Sequence, residues 1–184
     1  DNVTGGAGDD VITGNTVAGV IALTALDKID GGDGSDVLNI TTTADIASIS
    51  PAGATISNVE TINLTSNGSV TATSGAGVTN LVGAGADEFV LAGAATTDIT
   101  AVSSGLGSDN ATINGGKNIS ATVAVGTSGT VDIGATTAPA GTVSYTGAYT
   151  QANGNTHGAV TVTGGTTQTV TLSTGNAVNT TNTF

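Results

Sequence analysis

Gly5-Gly6-Ala7-Gly8-Asp9-Asp10-Val11-Ile12-Thr13 and Gly31-Gly32-Asp33-Gly34-Ser35-Asp36-Val37-Leu38-Asn39 are the two stretches from which the fold is read. Both follow the pattern G-G-x-G-x-D-x-U-x, with U a large apolar residue. Closely spaced glycines let the backbone take positive φ, so that several carbonyls aim at one point. The sixth-position aspartate adds charge there, and the apolar residue two places later starts a strand and ties the turn to a core. Such an oxygen cluster suits Ca2+, a hard cation that takes six to eight oxygens at about 2.3–2.6 Å.

The shorter string Gly-x-Gly-x-Asp occurs four times, ending at Asp10, Asp36, Asp87 and Asp109, with gaps of 26, 51 and 22 residues. These gaps predict a repeating unit of roughly 22 to 26 residues through the first 110 positions, one turn having lost its aspartate. Ile12, Leu38, Phe89 and Ala111 each stand two places beyond an aspartate, as strand anchors would.

Between the turns, apolar and polar residues alternate with period two, the mark of half-buried strands. Ile62 and Leu64, Ile119, Ala121, Val123 and Val125, Val131 and Ile133, Val143 and Tyr145, Val160 and Val162, and Val170 and Leu172 form such rows. Strand centres recur about every ten residues from position 62 to 171, with one longer gap over the polar loop at residues 151–158. Residues 17–26 fit helix and strand equally. The expectation is an all-β, elongated parallel solenoid or β-roll with calcium-binding turns, against the alternative of sandwich repeats in the C-terminal part.

Composition supports the thin architecture. The chain has 184 residues, 29 of them Gly, and only four aromatics: Phe89, Tyr145, Tyr149 and Phe184. A thick rounded core needs aromatic volume, whereas stacked rows of Val, Ile, Leu and Ala do not. A mean hydropathy of +0.24 and few charges argue against disorder. Residues 1–109 hold 13 of the 14 acids and residues 110–184 are neutral overall. The expected division is an acidic, calcium-binding solenoid over residues 1–112 and a Thr/Val-rich strand region over residues 113–184, continuous with it.

Several function classes are excluded. With two Lys, no Arg and a net charge of −12, there are no cations to track a phosphate backbone. The absence of Cys removes disulfides, thiolate zinc sites and thiol nucleophiles. The longest apolar run falls far short of the ~20 residues of a membrane-spanning helix. Without a signal peptide or initiator Met, the sequence reads as a mature chain or a piece of a longer one.

On these two nonapeptides the chain resembles the RTX family, calcium-binding proteins of Gram-negative bacteria exported by type I secretion. The resemblance implies that turn carbonyls and the sixth-position Asp share an ion with the next coil, which implicates Gly5, Gly6, Gly8 and Asp10, then Gly31, Gly32, Gly34 and Asp36. Asp1 and Asp27, four residues upstream of each motif, resemble the family's flanking aspartates. Asp87 and Asp109 close looser copies in which Val82 and Ser104 replace the first Gly. Family coils run about 18 residues, whereas these turns are 26 apart. Either residues 17–26 are an insertion or the coils are wider, with Asp9, Asp30 or Asp33 helping to hold the ion. The string Ile56-Ser57-Asn58-Val59-Glu60-Thr61-Ile62-Asn63-Leu64 and the Thr-rich strands resemble bacterial surface-layer proteins that carry such turns.

Blander readings stand beside these. An Asp in a tight turn often caps its own backbone. His157 lies in a polar loop, Asp87 and Glu88 as strand neighbours face opposite ways, and no Ser has a nucleophile's surroundings. Paired threonines such as Thr71 and Thr73 lack the fixed period of an ice-binding face and read as strand surface.

The sequence therefore predicts a non-enzymatic structural protein: a calcium-dependent, self-assembling segment of a bacterial surface layer or extracellular matrix, outside the cell. Its expected partners are further copies of itself and, secondarily, a cell-surface polysaccharide, with no nucleic acid and no membrane insertion. The alternatives are a stalk or binding module of a large RTX adhesin, and the RTX tail of a secreted enzyme.

Overall fold

A computed structural model describes residues 2–15, 27–46, 55–85, 87–103, 110–124, 129–149, 158–174 and 180–183. The expectations placed on Asp1, residues 17–26, Val125, Asp109, His157 and Phe184 lie outside these. The described residues form strands β1 (Asn2–Ala7), β2 (Val11–Asn15), β3 (Lys28–Asp33), β4 (Val37–Thr42), β5 (Thr55–Ser57), β6 (Thr61–Ser66), β7 (Val70–Thr73), β8 (Asn80–Gly85) and β9 (Phe89–Gly93). They continue with β10 (Asp98–Ser103), β11 (Ala111–Gly115), β12 (Ile119–Val123), β13 (Val131–Ile133), β14 (Thr142–Tyr149), β15 (Val160–Thr163), β16 (Thr167–Thr174) and β17 (Thr180–Thr183). There is no helix among them.

Strands pair in parallel with the strand one coil away, which makes the chain a parallel β-solenoid. An 8-stranded sheet runs β2-β4-β6-β8-β10-β12-β14-β16, and a 6-stranded sheet runs β7-β9-β11-β13-β15-β17. At about 4.8 Å per strand, the longer sheet extends roughly 34 Å along the stack. Both sheets pass through residue 112 without a break, since β10 pairs β12 and β11 pairs β13. The C-terminal strands thus form coils and not the antiparallel sandwich held as the alternative.

A third, 3-stranded sheet of β1, β3 and β5 gives the first coils an extra side. Cross-coil bonds show what that side does to the repeat. The step is 26 residues from Asp10 to Asp36 and 24 from Asp36 to Glu60, then drops to 19 between Glu60 and Thr79 once the third side has ended. The step widens again to 24 residues between Asn118 and Thr142, in coils without the third sheet, so coil length follows the bends as well as the number of sides.

Alternation along each strand fills the interior. Ile12, Leu38, Ile62, Leu81, Ile99, Ile119 and Val143 share one ladder column, all but Ile12 fully buried. Burying each such side chain contributes about 1.5–3 kcal/mol against the entropy of ordering the coil. Two aromatics, Phe89 and Tyr145, are wholly enclosed. Phe89 is accommodated by the absence of side chains on β8: a Cβ at Gly83 would lie 3.4 Å from Phe89 Cε1, and one at Gly85 3.3 Å from Phe89 Cζ. Tyr145 donates its hydroxyl hydrogen to the Val123 carbonyl at 3.2 Å, which keeps the buried OH satisfied.

Candidate functional site

The corner where the 3-stranded sheet meets the 8-stranded sheet is built from three bends stacked one above another. They lie between β1 and β2, between β3 and β4, and between β5 and β6. In the first two bends the motif glycines take the conformation that only glycine adopts freely, with φ of 125° at Gly6, 105° at Gly8, 102° at Gly32 and 145° at Gly34. The bends stack so closely that a Cβ on Gly32 would strike the Gly6 carbonyl oxygen and one on Gly34 the Gly8 carbonyl oxygen.

Carboxylates tie the three bends together. The Asp10 N–H donates to Asp36 Oδ1 at 2.8 Å, and the Asp36 N–H donates to Glu60 Oε2 at 2.8 Å. One bend over, the Ser35 N–H donates to Asp9 Oδ1 at 2.9 Å. Asn58 Nδ2 donates to Asp30 Oδ1 at 2.7 Å. Acid side chains thus bind main-chain donors of neighbouring coils, and Asp30, Asp33 and Asp9 add charge at the rim.

Asp36 is 1% exposed, and its Oδ2 is buried with no hydrogen-bond partner. A carboxylate oxygen withdrawn from water and left unpaired is destabilising by several kcal/mol unless a cation meets it. The atom faces the place where Gly31 has no side chain: a Cβ there would lie 2.5 Å from Asp36 Oδ2 and would overlap the Asn58 carbonyl oxygen. One coil earlier, a Cβ on Gly5 would lie 2.5 Å from Asp10 Oδ2 and would overlap the Gly31 carbonyl oxygen. Each glycine therefore lets a carbonyl of the next coil pack directly over it, on the side of a carboxylate, where no side chain would fit.

Among the described residues no three His, Cys, Asp or Glu side chains cluster closely enough to hold a metal by themselves. An ion at this corner would have to draw on main-chain oxygens, and that mixture of carbonyl and carboxylate is the donor set of Ca2+ and not of softer metals. The donor chemistry fits calcium, with the Asp10 and Asp36 carboxylates and the Gly31 carbonyl, which lies over Gly5 on the side of Asp10 Oδ2, as the residues that would hold it.

The structure brings Gly5, Gly6, Gly8, Asp10, Gly31, Gly32, Gly34 and Asp36 together. Asp27 is buried at the entry to β3. Asp87 is elsewhere: it is exposed, in the bend between β8 and β9, where the 8-stranded sheet meets the 6-stranded one. Neither Gly83 nor Gly85 has positive φ, so that copy of Gly-x-Gly-x-Asp is a strand making room for Phe89 and not a carbonyl nest. The residue stacked above Asp36 is Glu60, in the turn that lost its aspartate. Sequence reasoning passed over Asn58 and Glu60 as site residues because the bend at residues 57–60 has no glycine; the signal available was an acid 24 residues beyond Asp36.

A comparison with models of known protein families and with characterised proteins finds no match for this chain. The class the fold defines, a parallel β-solenoid, thus rests on strand pairing alone.

Proposed function

We propose that this chain is a calcium-dependent structural segment of a secreted bacterial surface-layer or matrix protein of RTX type, which folds outside the cell and assembles with its own copies. The observation that carries the calcium part is Asp36: a wholly buried carboxylate, unpartnered at Oδ2, in a chain whose net charge is −12. Without a cation the stacked acids repel one another and oppose closure of the first coils. With one, binding energy becomes folding energy. Scarce cytosolic calcium would keep the segment loose enough for export, and calcium outside would close it.

Assembly draws on the edge that β1 and β2 form among the described residues, where each is paired on one side only, since such an edge takes up a further strand from the same chain or from another copy. Val11 is 68% exposed and Val3 40%, an apolar pair on that same edge. The non-enzymatic reading rests on composition, with no Arg, no Cys and one His in the sequence. The test is thermal unfolding of the EGTA-stripped chain with and without Ca2+, followed by electron microscopy of both samples. One site at a hundredfold excess over Kd contributes about 2.7 kcal/mol, which raises Tm by roughly 5–10 °C for a chain of this size. Superimposable melts would sink the proposal; ordered sheets or fibres that dissolve on chelation support it, whereas a stalk would stay monomeric with calcium.

A further inference from the structure

We propose that Asn67, in the bend between β6 and β7, is a site of spontaneous deamidation, a modification that ages the corner where the 8-stranded and 6-stranded sheets meet. This chemistry depends on neither calcium nor assembly, and stands or falls apart from both.

Deamidation requires that the main-chain nitrogen after an asparagine reach the side-chain amide, and glycine, with no Cβ, permits this most readily. The chain has three Asn-Gly steps, at Asn67, Asn114 and Asn153, of which the last lies outside the described residues. The structure separates the other two. Asn114 is half-buried, and its Oδ1 accepts the N–H groups of Thr136 at 2.9 Å and Thr137 at 3.3 Å, one coil on. Swinging that amide toward Gly115 breaks both bonds. Asn67 is exposed, and its side-chain amide bonds no described residue. The nucleophiles do not distinguish the steps, since the Gly68 N–H donates to Ser66 Oγ at 2.9 Å and the Gly115 N–H to the Thr137 carbonyl at 2.7 Å. The freedom of the amide does.

In the reaction the Gly68 nitrogen gives its proton to solvent base as it bonds to Asn67 Cγ, and the side-chain nitrogen leaves as ammonia, closing a cyclic imide. Water then opens the imide, at Cγ to give aspartate or at the main-chain carbonyl carbon to give iso-aspartate. The net change is amide plus water to carboxylate plus ammonium. The new charge arises among acids: Asp45 Oδ1 accepts the Ser69 N–H at 2.8 Å, and Asp87 and Glu88 stand exposed in the bend one coil on. Iso-aspartate also adds a carbon to the main chain between the Asn67 N–H, which donates to the Thr42 carbonyl at 3.3 Å, and the Ser69 N–H. Bonds on both sides of the bend then lose their register, and the coil is destabilised.

The test is peptide mapping by mass spectrometry, with assay of released ammonia, on the full chain held in mildly alkaline buffer with and without guanidinium chloride. In the folded chain Asn67 should convert and Asn114 should be about tenfold slower or more, because two bonds must break first. In denaturant the two should convert at like rates. If folded Asn114 converts as fast as Asn67, or if Asn67 stays intact while the denatured chain converts it, the proposal fails. Asn67→Gln, whose longer side chain closes the imide far more slowly, should keep its Tm through an incubation that lowers the wild-type Tm by several degrees. An equal fall in both would assign the damage to another residue and overturn the role given to this corner.

Discussion

At the scale of single residues, the glycines of this chain act in two physically different ways that one string conceals. Gly6, Gly8, Gly32 and Gly34 supply backbone conformations, whereas Gly5, Gly31, Gly83 and Gly85 supply missing volume. Gly31 is the most exacting of the second kind. Because a methyl group there would overlap the Asn58 carbonyl and crowd Asp36 Oδ2, Gly31→Ala is expected to destabilise the folded chain by about 3 kcal/mol, read as a drop in Tm of roughly 6–12 °C. The same substitution should weaken calcium binding in a titration, since the methyl occupies the space beside the carboxylate. Gly6→Ala meets no atom within 4 Å, so any loss of stability there comes from the positive φ alone.

At the scale of elements, the informative comparison is between the bends and not between the strings. The bend closed by Asp87 joins different sheets from the bends closed by Asp10 and Asp36, because the third sheet ends with β5 and the coil path shortens. Asp87→Asn is accordingly expected to leave calcium stoichiometry and the calcium-dependent shift in Tm unchanged, as the same titration and melts would show. The glycines before it answer to Phe89 instead. Gly83→Ala places a Cβ 3.0 Å from Leu91 Cδ1 and against the Phe89 ring, an overpacking of about 1–3 kcal/mol. Phe89→Leu in the same chain should recover part of that loss, and a double-mutant cycle by denaturant unfolding would measure the coupling.

At the scale of the whole molecule, charge changes along the stack. The first coil is acidic, with every described position of β1 exposed and Val11 bare, while the Thr-rich last coils have almost no charge to keep another sheet edge away. If copies meet through the first coil, Val11→Lys should abolish calcium-dependent arrays in electron microscopy while changing Tm by less than about 1–2 °C, since an exposed valine contributes little to folding. Arrays that persist in this variant would move the contact to another face.

The sequence by itself determined what depends on local order along the chain. Period-two alternation placed the strands from residue 61 onward, because the two faces of a strand see core and solvent in turn. The glycine motifs marked the bends at Asp10 and Asp36, because no other residue readily takes those φ values. Only the tertiary structure decided which bends stack. Registry between coils sets Glu60 over Asp36 and sends Asp87 to another corner, and it turns Asn58 into a neighbour of Gly31 across 24 to 28 residues of chain. Those relations are set by the number of sides in each coil and by its bends, a property of how the sheets close in space that no short string encodes.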